Sequence, residues 1–353
     1  MTTTKTPETG TPQTPRPPHR DRSRRTARRV IAGVGITGLA VGAALAAGGV
    51  HLASTNSFPG HAASTPTTNC AANPSACGYP DATNTGVPSG MKLQTVGTGA
   101  GQVSSGPGWH FDSRGWVEVN GAGATLTGLY IPYNLDITAS NVTIKNDQVV
   151  TSGQSSVGIS VRHTSGVTLE NNTITGTNAT SGRVMAGIKD MYNDSSGLQV
   201  LNNNIYDAGV GVQIESGLIQ GNYIHDMGYI KGDHIDGINS DGGVTGQLTI
   251  NHNTVFDQMN QTTAVGLFED FGVQANRTIS NNLLAGGSYA IYAGQNSGGL
   301  TTSNITITGN RFATQYFPQS GQYGPVAAYN PSTTTWSGNV WDSTGATVPA
   351  PGS

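Results

Sequence analysis

Charge is scarce in this chain: 10% of its 353 residues are Asp, Glu, Lys or Arg, and aromatic residues make up 7%. That excludes coiled coils and helical bundles, which are built on charged helix formers. Cysteine is nearly absent, with two residues in all, so no disulfide scaffold holds the fold. There is one long uncharged apolar run, Val30 to Val50, too little for a multi-span helical membrane protein. Dinucleotide and phosphate-loop signatures are missing too, because the Gly pairs never open a helical pattern. Glycine is abundant instead, with 50 residues, about twice the usual share.

The net charge of −3 hides an asymmetry. Residues 1–29 carry eight basic and two acidic groups; the remainder carries nine basic and 18 acidic, so +6 is followed by −9. Nucleic-acid binding draws on a basic face that releases phosphate counterions, and a twofold excess of carboxylates argues against that partner. A basic segment (1–29) followed by an apolar one (30–50) has the order of an export signal. The 21 apolar residues are long for a cleaved signal core and just long enough to span a bilayer, so a signal peptide and a single transmembrane anchor both stand. Ser23-Arg24-Arg25 looks like part of a twin-arginine signal, beside the general export route, and Ala44-Leu45-Ala46 would permit cleavage. Either way the rest of the chain is expected outside the cytoplasm, secreted or anchored at the outer face of the membrane, the membrane being met only through this segment. Residues 51–84, rich in Ser, Thr, Pro, Ala and Asn, read as a linker that cannot bury enough apolar surface to order itself. Cys70 and Cys77 within it are expected to close a small disulfide loop rather than hold zinc.

From about residue 120 one pattern recurs: an apolar residue, two variable ones, Asn, one variable, then an apolar residue. Leu169-Glu170-Asn171-Asn172-Thr173-Ile174 is one copy and Ile250-Asn251-His252-Asn253-Thr254-Val255 another. The Asn falls at 172, 203, 222, 253, 282, 310 and 339, with Asp147 in its place in the first copy, giving steps of 25, 31, 19, 31, 29, 28 and 29 residues. Each copy holds short alternating Val, Ile and Thr segments parted by Gly, Asn and Ser, the signature of strands and turns. Such a period holds about three strands and three turns, one coil of a parallel β-helix. The repeated Asn then reads as scaffold, tolerating left-handed geometry at equivalent corners and bonding to the next coil.

This array resembles the right-handed parallel β-helix proteins of the pectate-lyase-like superfamily over residues 85–345, with 346–353 as a C-terminal tail. The resemblance implies an all-β solenoid. It is weak for function, because that superfamily includes lyases, hydrolases, epimerases, esterases, phage tailspikes and non-catalytic surface proteins.

The informative positions are those where one coil departs from its neighbours. Aligned on Gly158-Ile159, Gly187-Ile188, Gly211-Val212, Gly237-Ile238, Gly266-Leu267 and Ala290-Ile291, the residue one place earlier is Val157, Ala186, Val210, Asp236, Val265 and Tyr289. Asp236 is the one ionisable member; burying an unpaired charge costs several kcal/mol, so it is paired, bound to a cation, set in a cleft or capping a turn. The next outward column is Ser160, Lys189, Gln213, Asn239, Phe268 and Tyr292, and two places on come Arg162, Met191, Glu215, Asp241, Asp270 and Gly294. With coils about 4.8 Å apart, Glu215, Asp241 and Asp270 form a ladder of like charges, either a Ca²⁺ site or a solvated acidic edge.

Residues 228–243 concentrate Lys231, Asp233, His234, Asp236 and Asp241 in a domain poor in charge. The His-x-Asp-Gly-Ile string looks like active-face strands of β-helix carbohydrate enzymes. Asn239-Ser240-Asp241-Gly242 faintly resembles the Asn-Thr-Asp-Gly signature of polygalacturonases, whose Gly-His-Gly and Arg-Ile-Lys are missing. Two chemistries fit. In β-elimination on a uronic-acid polysaccharide, the favoured one, Lys189, Lys231 or Arg183 neutralises or abstracts, His234 serves as base or acid, and Asp236 orients it or binds Ca²⁺. In hydrolysis, two of Glu215, Asp236, Asp241 and Asp270 flank the bond. The rival reading is a non-catalytic glycan-binding protein that meets sugars through Gln213, Asn239, Phe268 and Tyr292. His163, His252, Lys145 and Arg311 are set aside as surface residues. A polysaccharide or glycan is the expected partner, and a monomer the expected state.

Overall fold

A computed structural model describes residues 69–295 and 300–352. Three parallel sheets of 10, 11 and 9 strands run the length of the domain, and each strand pairs with its counterparts in the coils before and after. The chain forms the expected parallel β-helix. Three inward columns fill it, of which Ile159, Ile188, Val212, Ile238, Val265 and Ile291 are one, each fully buried or nearly so. Each such side chain contributes roughly 1.5–3 kcal/mol relative to exposure. Three antiparallel strands, Ser105–Gly106, Trp109–Asp112 and Trp116–Val119, begin the 11-stranded sheet, which is parallel from there on.

The register is held by the repeated Asn. All seven are fully buried. Asn172 Nδ2 donates to Asn203 Oδ1, Asn203 to Asn222, Asn222 to Asn253, Asn253 to Asn282, Asn282 to Asn310 and Asn310 to Asn339, each at 2.9–3.0 Å. Every Oδ1 also accepts the backbone N–H of the previous rung, Asp147 in the case of Asn172, and every Nδ2 also donates to a carbonyl of the preceding coil, as Asn253 does to Ile219. The left-handed conformation expected of these Asn belongs instead to the residue before each: Asn171, Asn202, His252 and Asn281 have φ of 53–56°, and Gly221, Gly309 and Gly338 φ of 65–71°. That residue turns the corner, which aims the following amide inward.

Two boundaries differ from expectation. Within the expected linker over 51–84, the described part, 69–84, is ordered, and a Cys70–Cys77 disulfide closes two short 3₁₀ turns there. Cys70 and Ala71 pack with Phe256, Leu283, Ala285 and Ala313, outward residues of the 10-stranded sheet. From Asn69, bonded to the Asp342 carbonyl, the segment runs back to Gly86 and Val87, bonded to Asn202 and Thr173. Composition hid this, because the apolar surface that orders the strap belongs to the solenoid. At the other end Val348 is buried and its carbonyl accepts from Trp336 Nε1, so the expected tail caps the last coil. Residues 1–68, with the apolar segment 30–50, lie outside the described residues; among the described ones no helix is long and apolar enough to cross a membrane.

Asp147 heads the ladder with an acid where an amide belongs. Its Oδ1 accepts from the Leu129 N–H at 2.7 Å, and Oδ2, in the place of the amide nitrogen, has no partner among the described residues. Burial pushes its carboxyl up to about 7. A pKa raised on folding means stability that is present in acid and lost as pH rises through 7. Asp147→Asn should therefore raise the unfolding temperature at pH 8 and change it little at pH 5. Asn253→Ala, which strands donors and acceptors on both neighbouring coils, should cost about 2–4 kcal/mol in denaturant unfolding.

Candidate functional site

The outer face of the 11-stranded sheet carries the departures from the repeat. In the strand Asp236–Ser240, a Cβ on Gly237 would strike Val255 in the core, so Gly237 and Ile238 both face inward. Asp236 and Asn239 are thereby left on the outer face, where Asn239 Nδ2 donates to Asp236 Oδ2 at 3.2 Å. The same inward position is Gly158, Gly187 and Gly211 in earlier coils, each with its Cβ site against the next coil's carbonyl; Gly237 sits that way against Ala264.

This shifts the expected alignment by two residues in one coil. Ile238 pairs with Val265 rather than Leu267, and Asn239 with Gly266 rather than Phe268, because Ala264 and not Gly266 takes the small inward place. Asp236 accordingly pairs with Thr263. Asp270 leaves the column assigned to it and stands, exposed, on the turn after the strand Thr263–Leu267. The bare Gly266 opens a notch into which the Phe268 ring folds, 2.3 Å from where a Cβ would lie. Phe268 thus meets Tyr292 at a centroid distance of 5.5 Å by a route the alignment did not contain.

The outward column reads Ser160, Lys189, Gln213, Asn239, Gly266, Tyr292. Gln213 Nε2 donates to Asp241 Oδ2 at 2.6 Å. Lys189 and Asp241 share a cleft of about 410 Å³ with Met191, Tyr192, Asn193, Gly242 and Phe271. Tyr192 and Phe271, which the sequence reading did not single out, are 55% and 72% exposed, aromatic area that the core does not use. Asp270 is tied to the cleft through the next residue, since the Phe271 N–H donates to the Asp241 carbonyl at 3.1 Å.

The electrostatics are those of crowded acids. Burial, with Asp241 and Asp270 nearby, pushes Asp236 up to about 7 against the single hydrogen bond from Asn239. Its Oδ1 and the Asn239 Oδ1 are buried without a partner among the described residues. Burial also raises Asp241, as does Asp270, while Gln213, Lys189 and Asn239 pull it down.

Other expected residues lie elsewhere. Arg183 is buried and forks onto Asp233 at 2.7 Å through both Nε and Nη2, so it anchors the 230–233 turn and does not face the cleft. Lys231 is exposed on that turn. His234 is exposed and lines a different depression, with Tyr229, Asn260, Gln261, Thr262 and Ser288. Glu215 is fully buried: it accepts from Ser240 Oγ and the Asp241 and Gly242 N–H groups, and pairs with Arg277, so it cannot join the cation ladder expected with Asp241 and Asp270. Arg277 was missed although its signal was present. It occupies an apolar column between Leu248 and Ile305, the same kind of departure that marked Asp236.

By sequence, residues 117–269 match the profile of the right-handed β-helix region, in keeping with the three-sheet solenoid. The chain is a right-handed parallel β-helix. No curated protein matches it by sequence. Among solved structures, the catalytic domain of a GH87 α-1,3-glucanase in complex with nigerose aligns over 74% of this chain and 71% of its own, at 14% identity and a TM-score of 0.38. A single-residue variant of such a domain aligns at 16% identity and TM-score 0.40 over 63% of this chain; the chain spans 50% of its length. The Dettilon tailspike protein aligns over 61% of this chain and 60% of its own, at 12% identity and TM-score 0.33. These are likenesses of fold and carry nothing about activity.

Asp236→Asn removes a carboxyl whose raised pKa makes wild-type stability fall as pH climbs through about 7. The variant should unfold at a higher temperature than wild type at pH 8 and at a similar one at pH 5, as calorimetry at the two pH values will read.

Proposed function

We propose that this β-helix cleaves a polysaccharide laid across the outer face of the 11-stranded sheet, with Asp241 and Asp270 as the working carboxyls. One observation carries the reading: Asp241 borders the cleft, Asp270 stands on the adjoining turn held to it by the bond from the Phe271 N–H to the Asp241 carbonyl, and burial raises the Asp241 carboxyl while Asp270 is exposed. Glycoside hydrolysis needs such a division, one carboxyl that gives a proton and one that stays ionised. Asp241, raised by burial and bordering the cleft, donates its proton to the glycosidic oxygen. Asp270, exposed beside it, acts on the anomeric carbon directly or through a water. The charge of Asp270 adds to burial in favouring the protonated form of Asp241. Tyr192, Phe271, Phe268 and Tyr292 offer ring faces to sugars.

Elimination, the chemistry favoured by the residue types in 231–241, keeps one supporting observation, the Lys189 ammonium in the cleft with Asp241. His234 and Arg183 are not beside it. A Ca²⁺ ion would suit Asp236 Oδ1 and Asn239 Oδ1, hard oxygens that are buried without a partner among the described residues. When bound, it would supply positive charge beside Asp236. The protein is inferred to act outside the cytoplasm, as a monomer, on a glycan and not on nucleic acid. The basic-then-apolar segment over 1–50 and the Cys70–Cys77 disulfide support the compartment.

Incubation with a panel of neutral and acidic polysaccharides tests the reading. New reducing ends without ultraviolet-absorbing unsaturated ends are expected, abolished in Asp241→Asn and reduced by a chelator. Unsaturated ends that vanish in Lys189→Ala would replace hydrolysis by elimination, and glycan binding with neither product would leave an adhesive protein.

A further inference from the structure

The turn that carries Asp241 rests on a buried polar network that no substrate can reach. Glu215, Gln274 and Arg277 are at most 1% exposed. The Glu215 carboxylate accepts from Ser240 Oγ at 2.7 Å, from the Gly242 N–H at 3.0 Å and from the Asp241 N–H, with Arg277 Nη2 at 3.5 Å. Arg277 in turn donates to Gln274 Oε1 at 2.7 Å and to the carbonyls of Val244, Gly246 and Ala275 at 2.6–2.8 Å. Gln274 Nε2 donates to the carbonyls of Ser240 and Phe268. One connected set of hydrogen bonds therefore grips both ends of the 241–246 turn, which bears Asp241, and the start of the 268–275 turn, which bears Asp270.

The two turns also touch backbone to backbone. Gly242 has φ of +85°, and a Cβ there would lie 2.2 Å from the Gly272 carbonyl oxygen. Backbone hydrogen bonds from the Phe271 N–H to the Asp241 carbonyl and from the Gly243 N–H to the Val273 carbonyl join the turns to each other, and the buried anchors beneath tie both to the sheet. A buried ion pair is also a poor source of stability, since desolvation offsets its attraction, whereas it specifies one arrangement of the groups it bonds.

We propose that Glu215, Arg277 and Gln274 are positioning residues that fix the separation and orientation of the Asp241 and Asp270 carboxyls. The proposal rests on the reading that those two carboxyls perform the cleavage. Glu215 acts through two backbone N–H groups of the Asp241 turn, and Gln274 through the Phe268 carbonyl ahead of Asp270. Arg277 locks the two together. Displacement of about 1 Å in such groups lowers turnover by up to about a hundredfold while leaving remote sugar contacts intact.

Glu215→Gln alone leaves Arg277 buried without its counter-charge, so it is paired with the double variant Glu215→Gln, Arg277→Met, which removes both charges. The double variant should recover most of the unfolding temperature lost by the single one, while kcat stays about a hundredfold below wild type and KM shifts by less than about threefold. In both variants the amide hydrogens of Asp241 and Gly242 should exchange at least about tenfold faster, read by native-state hydrogen exchange. Recovery of kcat together with stability in the double variant would overturn the proposal, as would wild-type turnover in the single one. If the wild-type protein cleaves no polysaccharide, the cleavage reading has failed, and exchange alone decides whether the brace holds the turn: unchanged exchange at Asp241 and Gly242 overturns it.

Discussion

Buried amide-to-amide hydrogen bonding along the solenoid axis is the interaction on which the rest of this molecule depends. Asn172 to Asn339 form one continuous ladder in which, between the two ends, each oxygen accepts twice and each nitrogen donates at least twice, inside a core built largely of Val, Ile and Leu. An amide left alone there would pay the full desolvation penalty, so a coil out of register is strongly disfavoured. Strand side chains alternate faces, and a slip of one residue would turn Lys189, Gln213 and Asn239 into the core. The outer face is therefore only as well defined as the ladder on the opposite wall.

On that face the protein departs from its own rules at several linked points. Asp236 is buried and under-bonded, acids crowd one another, and Arg277 stands in an apolar column. Such departures oppose stability locally, and the regular coils on either side hold them in place. Asp147 is a departure of another kind, an acid that substitutes for an amide at the head of the ladder, far from the cleft. A raised carboxyl pKa alone does not mark a site; Asp236 differs because Asp241, Asp270, Asn239 and an open face accompany it.

The strap from residue 69 to about 90 shows the limit of reading segments in isolation. Its own composition is that of a linker, yet it lies ordered along the 10-stranded sheet, because Phe256, Leu283, Ala285 and Ala313 point outward and need cover. Tyr79 stacks on His252, which takes that histidine, expected to be a surface residue, under the strap.

By itself the sequence determined the β-helix, the position of its Asn ladder and the oddity of Asp236, because period and apolar alternation are local properties that survive without coordinates. It also carried Arg277 as a break in an apolar column, a signal that becomes visible once the strand Ala275–Ser280 is set against its neighbours. Only the tertiary structure decided which acids meet. The coil at Ala264-Val265-Gly266 admits two alignments that differ by two residues, both apolar-alternating, and contact with the neighbouring coil selects one. That selection moves Asp270 onto a turn, folds Phe268 over Gly266 and, with the inward bend at Gly237, turns Asp236 outward; Glu215 goes beneath the groove because Arg277 is there to receive it. Spacing along a chain reports which residues share a coil position, but side-chain direction at a bend or a turn is set by what packs against it.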